Sequence, residues 1–397
     1  MTKKLLGLIS VIIIAMLIFS LYHLKPNFQE STNQSVQKVN IWFFSPAMEK
    51  WAQDFNKRHR NVQIVTKLMD NPDRLLEALN VAVSTGNAPD LVEMSSFYGI
   101  HPFIQKGLIK PIERLLPSLN VQEYVPGIAD RFTLDNNLWA IPIGYSLPVL
   151  YVNQTMIEQS HQSLSQLDKW PLIVDSAKTL GTQPIGRGEW GLNTDSMMAW
   201  YIYNLSADHW TFETPTSMNN AVNHALSNWG GLIDQKVMPP LSHEMALTSF
   251  VNGKGLYFIS SSENVNLIER LIAGHFNFTV LPFPYRRNHQ ALFGGSGLTV
   301  IAKDSDNSRS IKVVLKDLQS TKTIMSISEA GNLIPPLGEL ALGERFLGKY
   351  NKYPKLQQAI KESLAFTGPP PSGHDEDLWK RLSSGAINVE SHRVEPR

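Results

Sequence analysis

"VNIWFFSPAMEKWAQDFNKRHRNVQIVTKLM", Val39 to Met69, carries two kinds of apolar period in succession. Val39–Phe44 is β-rich and continuous, as a strand covered on both faces is. Met48, Trp51, Ala52 and Phe55 then recur at helical spacing, which predicts a helix over Met48–His59. Val62–Met69 returns to the alternation of a strand. Leu75, Leu76, Leu79 and Val83 mark a second helix over Asp73–Ser84, "GNAPD" turns at Gly86–Asp90, and "LVEM" is another short strand. Strand–helix–strand–helix–strand without a hairpin signal predicts an α/β sheet with parallel strands. Such sheets hold ligands beyond the carboxyl ends of their strands, which is where Phe44–Ser45 and Glu93–Ser96 fall.

The chain has 397 residues, 43% hydrophobic and 18% charged, enough material for two domains. A net charge of +1 gives no field to hold a polyanion, so nucleic acid is a poor partner. There is no cysteine, which excludes disulfides, thiolate metal sites, a cysteine nucleophile and a lipid-acceptor cysteine. Nine tryptophans and eleven tyrosines supply flat amphipathic rings for cores and for stacking on ligands.

Lys3 and Lys4 precede Leu5–Leu21, an apolar run of seventeen residues. A positive start followed by such a run is the pattern of export. The run is longer than the usual signal core of about 7–15 residues and approaches the roughly 17–25 that span a bilayer. "SLYHLKPNF" offers no small-x-small cleavage site, which favours an uncleaved anchor over a cleaved signal. Either way residues 1–24 are the signal or anchor, residues 25–37 a polar tether, and the rest lies outside the cytoplasmic membrane: periplasmic or extracytoplasmic.

Six further segments, taken in order, carry a resemblance. They are "ALNVAVSTGNAPDLVEMSS" (Ala78–Ser96), "FIQKGLIKPIERLL" (Phe103–Leu116), "DNNLWAIPIGYSLPVLYVNQTMI" (Asp135–Ile157), "SFVNGKGLYFISSSENVNLI" (Ser249–Ile268), "FNFTVLPFPYRRNHQALFGGSGLTVIAKDS" (Phe276–Ser305) and "EAGNLIPP" (Glu329–Pro336). None is specific alone. In this order, over roughly Val39 to Pro336, they resemble the family 1 extracellular solute-binding proteins, the receptors of sugar-type ABC importers similar to maltose- and glycerol-3-phosphate-binding proteins. One departure is the missing lipid-modified cysteine that much of the family carries in Gram-positive bacteria; a periplasmic protein, or one held by its own N-terminal helix, fits better. The resemblance implies a two-lobe α/β periplasmic-binding-protein fold, with the hinge crossed three times and the ligand cleft between lobes. Crossings near Asp130, Thr279 and Ser328 would make one lobe of 38–130 plus 280–327 and another of 131–279 plus 328–397. The C-terminal stretch reads as a Pro/Gly break, a short helix over Leu378–Ser383 and a frayed end.

In that frame the hydroxyl cluster closing the strand Leu256–Ile259 acquires a role. Ser261, Ser262 and Asn264 are candidate ligand contacts, or helix-starting caps that use the same hydroxyls. Trp42, Phe44 and Ser45 end the first strand, where a ring stacks on a sugar or packs in the core. Glu93 and Ser95 end another, Glu93 as hydroxyl acceptor or strand-end ion pair. Tyr145 and Ser146 interrupt an apolar run. Trp190 and Arg187 sit in the glycine-rich "GRGEWGLNT", read as a loop. Gly294, Gly295 and Ser296 bring bare backbone near a ligand or allow a lobe crossing.

Catalytic patterns are thin. "GGSGL" is not a nucleophile elbow, the eleven histidines form no His-x-x-x-His pair, and there is no phosphate-cradling loop. No metal site and no cofactor is expected, and the chain is read as no enzyme. The reading is therefore an ABC-importer receptor that binds carbohydrate and hands it to membrane permease subunits. A glycerol-phosphate binder, a ligand sensor acting through a membrane partner and an exported glycan-cleaving enzyme are the alternatives.

Overall fold

The computed structural model describes residues 36–159, 169–181, 190–206, 215–240, 243–284, 290–303 and 307–393. Gln37–Arg397 forms one compact unit. Its chain begins with the predicted alternation: β1 (Gln37–Phe43), α1 (Pro46–Arg58), β2 (Val62–Leu68), α2 (Pro72–Ser84) and β3 (Leu91–Ser95). α1 buries Met48, Trp51, Ala52 and Phe55, has Pro46 in its first position and ends in Lys57 and Arg58, cations that suit a helix carboxyl end. Asn71 caps α2 by accepting from the Arg74 amide at 2.9 Å, a contact that typically stabilises a helix by about 1 kcal/mol.

Beyond these come β4 (Ile109–Lys110), β5 (Ala140–Ser146), β6 (Pro148–Asn153), β7 (Trp190–Thr194), α3 (Met198–Leu205), α4 (Pro215–Asp234), α5 (His243–Val251), β8 (Gly255–Ser261), β9 (Phe278–Pro282), β10 (Gly294–Ile301), α6 (Thr321–Gly331) and α7 (Asp375–Ser391). One sheet has the order β2–β1–β3–β10–β4, with β5 also paired to β10. β1 runs parallel to β2 and to β3, as expected; β10 is antiparallel to β3, β4 and β5, because it arrives from the other sheet. That second sheet has the order β9–β6–β8–β7, with only β7 and β8 parallel. Alternation covers both of its faces: Val149 and Tyr151 pack into one core, Leu150 and Val152 into another beneath α3, α4 and α7.

The sheets place the crossings later than the sequence suggested. β5 pairs with β10 up to Ser146, so the chain leaves the first sheet at Leu147 and not near Asp130. β9 pairs with β6 through Pro282, so the return follows that residue and not Thr279. Ser328 lies within α6, which packs on α1 and β5; after it, Ile334 and Tyr145 exchange backbone hydrogen bonds at 2.7 and 3.0 Å.

The carboxyl end is more ordered than its composition implied. α7 runs for 17 residues to Ser391, because Glu390 is fully buried and has partners. Trp229 Nε1 donates to it at 2.7 Å and His243 Nε2 lies 2.9 Å from both carboxylate oxygens. The other ring nitrogen of His243 is 3.0 Å from the Thr194 carbonyl at the end of β7. Burial works against a charged imidazole, but the bond and charge of Glu390, with Thr194, hold the His243 pKa above its ordinary value. Its charge therefore stabilises the fold fully below the unfolded imidazole pKa of about 6.5, and the contribution disappears as pH rises through the higher folded value. His243→Gln should cost about 3 kcal/mol at pH 6 in urea unfolding, as removal of one partner of a buried pair does. The deficit should shrink by pH 9; a deficit constant over that range contradicts a charged His243.

Candidate functional site

The carboxyl ends of β1, β3, β5, β7 and β8 and the amino end of β10 meet at a cleft of about 630 Å³. Small-molecule sites span roughly 300–1,000 Å³. Phe44, Ser45, Ser95 and Ser296 supply the wall from the first sheet. Asp195, Trp200, Ser261, Glu263 and Asn264 supply the wall from the second. Ser146 and Gly294 sit where the strands pass between the sheets, and Ala330, Gly331 and Leu333 close the cleft from the end of α6.

Of the residues singled out from sequence, Phe44, Ser45, Ser95, Ser146, Ser261, Asn264, Gly294, Gly295 and Ser296 line this cleft. Five do not, and one falls outside the described residues. Trp42 lies in β1, where alternation sends Phe43 into the core and leaves Trp42 under the Lys67 ammonium, 4.2 Å from the ring centre. Phe44 escapes that alternation because it follows the strand's end. Tyr145 is fully buried, stacked on Phe293 at 5.3 Å and bonded through its hydroxyl to Ser363 at 2.9 Å. Ser262 braces the crossing: its hydroxyl accepts from the Leu147 amide at 3.0 Å, and its own amide donates to the Leu147 carbonyl at 2.8 Å. Trp190 begins β7, five residues before Asp195 and so about 16 Å from the cleft at about 3.3 Å per residue. Arg187 lies outside the described residues.

Glu93 is the fifth, and it stands behind the wall. It is fully buried at the middle of β3. One carboxylate oxygen accepts from the Phe44 and Ser45 amides at 2.8 and 2.9 Å. The other accepts from the Ser45 hydroxyl and from Ser296 Oγ, the latter at 2.5 Å. Burial pushes the Glu93 carboxyl above its usual pKa, and these donors pull against that. The two glycines beside Ser296 have a packing reason. A Cβ on Gly295, whose φ is +152°, would lie 2.5 Å from the Gly144 carbonyl oxygen, and one on Gly294 would lie 2.8 Å from Ser146 Oγ.

The second wall contains residues that sequence reasoning passed over. Asp195 follows β7 and accepts from the Met197 amide at 3.0 Å, Tyr201 hydroxyl at 2.7 Å and Ser260 hydroxyl at 2.6 Å. Asn264 donates to the same Ser260 hydroxyl at 2.9 Å, which fixes its amide group beside the cleft. Burial raises the pKa of Asp195 and of Glu263 against the hydroxyls that hydrogen-bond to them. Phe97, just past β3, lines the cleft with its ring 5.6 Å from Trp200, and Trp379 of α7 stacks on it at 4.3 Å. Among the described residues no group of three or more histidine or acidic side chains is placed to hold a metal. Among them, too, no helix is long and apolar enough to cross a membrane; Leu5–Leu21 lies outside them.

Two α/β lobes joined by crossing strands, with a polar cleft where the strand ends of both meet, define a two-lobe binding protein of the periplasmic type. The family model of the bacterial extracellular solute-binding proteins matches residues 44–322, and the chain belongs to that family. It is 22% identical over 342 residues, 79% of this chain and 76% of the relative, to the sn-glycerol-3-phosphate-binding periplasmic protein UgpB of Yersinia enterocolitica. A Listeria monocytogenes ABC substrate-binding protein, solved in complex with cycloalternan, superposes with a TM-score of 0.69 at 17% identity, covering 90% of this chain and 98% of that one. UgpB of Mycobacterium tuberculosis, solved in complex with glycerophosphocholine, gives 0.69 at 13% identity over 90% and 97%.

Glu93→Ala would leave two amides and two hydroxyls without their acceptor inside the wall. The expected loss is about 3 kcal/mol in urea unfolding, from stranded buried donors. Stability equal to the parent's would show that the four bonds do not hold the wall.

Proposed function

We propose that this chain is the solute receptor of an ABC importer, taking a carbohydrate into the cleft and presenting it to membrane permease subunits. One observation carries the reading: hydroxyl, amide and carboxylate groups from both sheets face a single gap that also exposes aromatic rings. A sugar needs closely spaced donors and acceptors for its hydroxyls and a flat apolar surface for its ring face. Ser95 and Ser261 both donate and accept, Ser45 and Ser296 accept because their hydroxyl protons go to Glu93, Asn264 does both through its amide, and Asp195 and Glu263 accept. Phe44, Phe97 and Trp200 supply the rings. The sugar complex of the Listeria relative supports the same class of ligand.

The proposed mechanism is closure about the crossings. One lobe is built on the first sheet and the other on the second, in place of the division near residues 130, 279 and 328. The peptide at Leu147, the return before Gly294 and the segment after α6 are then the hinge. A ligand that bonds Ser45 and Ser296 on one side and Asp195 and Ser261 on the other interacts best when the walls approach, and so shifts the population to the closed form. The apolar run Leu5–Leu21 would keep this receptor on the outer side of the cytoplasmic membrane. No catalytic step is proposed.

A thermal-shift screen of neutral mono- and oligosaccharides tests the reading. A sugar present at about 100 times its Kd should add about 2.7 kcal/mol of stability. Phe44→Ala should weaken the best ligand by about tenfold, a loss near 1.4 kcal/mol. Absence of stabilisation by any carbohydrate, or a Phe44→Ala protein that binds unchanged, counts against this site.

A further inference from the structure

The first lobe has a second surface at the end of its sheet away from the cleft, where three pieces of chain are tied together. The Gln37 amide at the start of β1 donates to the Asn61 carbonyl at 2.9 Å, which brings the loop after α1 to the point where the chain enters the sheet. The Asn307 side chain donates to the Lys38 carbonyl at 2.9 Å, so the helix Ser308–Leu318 begins at the same point. Its other end is fastened to α1, because Arg58 and the Trp51 indole donate to Asp317 at 3.0 and 2.9 Å. This helix buries Ile311, Val314, Leu315 and Leu318 against the lobe. Arg309, Lys312 and Lys316 are left exposed, at i, i+3 and i+7 on one face.

Lys38 and Arg60 are exposed beside these three. Among the described residues none of the five cations has a carboxylate within ion-pair distance. The nearby acids are already engaged, Asp317 by Arg58 and Asp54 by Lys50 and Lys57. The sequence adds Asp304 and Asp306 just before the helix, which leaves an excess of three (five less two) in a chain whose whole net charge is +1. Positive charge gathered on one face in this way attracts an anionic partner.

The covalent order of the chain selects that partner. Leu5–Leu21 is apolar, and only Tyr22–Val36 separates it from Gln37. About fifteen residues span at most roughly 50 Å. A bilayer holding the apolar run therefore keeps this end of the lobe beside lipid headgroups, at an effective concentration on the order of millimolar.

We propose that this face rests on an anionic lipid surface, with Lys38, Arg60, Arg309, Lys312 and Lys316 meeting the negative headgroups. Each such cation adds to the attraction, which fades within a Debye length. The cleft then points away from the membrane, about 23 Å off at the far end of the seven-residue β1, and stays open to solute. Proximity comes from Leu5–Leu21 as a retained anchor and orientation from the basic face; the test separates the two.

The chain has no cysteine, so a single dye can be placed at a chosen position. Asn61→Cys sits beside the face, and Arg74→Cys sits in the first turn of α2 at the cleft end. The two full-length proteins are reconstituted in nanodiscs that carry an acceptor dye on a headgroup. The discs are phosphatidylcholine alone, or phosphatidylcholine mixed with phosphatidylglycerol. From neutral to mixed discs, energy transfer from position 61 should rise at least about twofold, while transfer from position 74 stays level or falls. In about 1 M salt, where the Debye length is about 3 Å, the rise should vanish. Arg309→Gln, Lys312→Gln and Lys316→Gln together should abolish it as well; if that protein does not fold, the lipid and salt dependence of the parent decides. Equal transfer on both discs, a rise that survives salt or the triple substitution, or an equal rise at position 74 overturns the proposal. Protein that elutes with mixed discs but apart from neutral ones refutes the anchor and keeps the face. Elution apart from both refutes both.

Discussion

A fully buried carboxylate is costly to carry, and Glu93 is carried because four donors converge on it from two separate stretches of chain. Phe44 and Ser45 come from the turn between β1 and α1, and Ser296 from β10. The carboxylate ties the ends of three neighbouring strands together where they reach the cleft. That fastening positions the hydroxyls of Ser45 and Ser296 and the ring of Phe44 as one surface. The first-sheet wall depends on this knot, and so does its electrostatic character.

The second wall is organised around a smaller knot of the same kind. Asp195 gathers Tyr201, Ser260 and the Met197 amide, and Ser260 passes the order on to Asn264. From there structure extends outward, since Thr194 next to Asp195 bonds His243, and His243 bonds Glu390 near the end of α7. α7 returns to the cleft through Trp379, which stacks on Phe97. Arg131 supplements that link. Its guanidinium donates to the Ser96 and Phe97 carbonyls at 2.6 and 3.0 Å and to Asp375 of α7 at 2.7 Å. The Phe97–Trp379 stack and the Arg131–Asp375 pair thus join the end of β3 to α7 of the second lobe, beside the crossing strands.

How much of this was legible follows from what each signal measures. β1 to β3 were readable within about two residues of their ends, because apolar period, proline and cap residue agree there. The strand ends at Phe44–Ser45 and Ser95 were located by the general behaviour of α/β sheets, with no fold knowledge beyond it. Glu93 was picked as a polar residue in an apolar strand, but linear sequence does not show that its partners are Ser45 and Ser296 and not a ligand. Asp195 was missed because the glycines of "GRGEWGLNT" mask a strand that exists by pairing with β8. Trp200 was missed because "MAWYIYNL" is apolar all round, and period alone does not say which ring meets a cavity. The late crossings were missed for a related reason: β5 and β6 form one continuous apolar run, and only the partner strands reveal where it changes sheet.

In the proposed mechanism two walls approach each other over a bound solute. Small-angle X-ray scattering of the full-length chain, with and without a saturating concentration of the neutral sugar that stabilises it most, measures that approach. Contraction is expected: a lower radius of gyration and a loss of the longest interatomic vectors, with secondary structure unchanged by circular dichroism. A scattering profile that does not change while the sugar is demonstrably bound would contradict it.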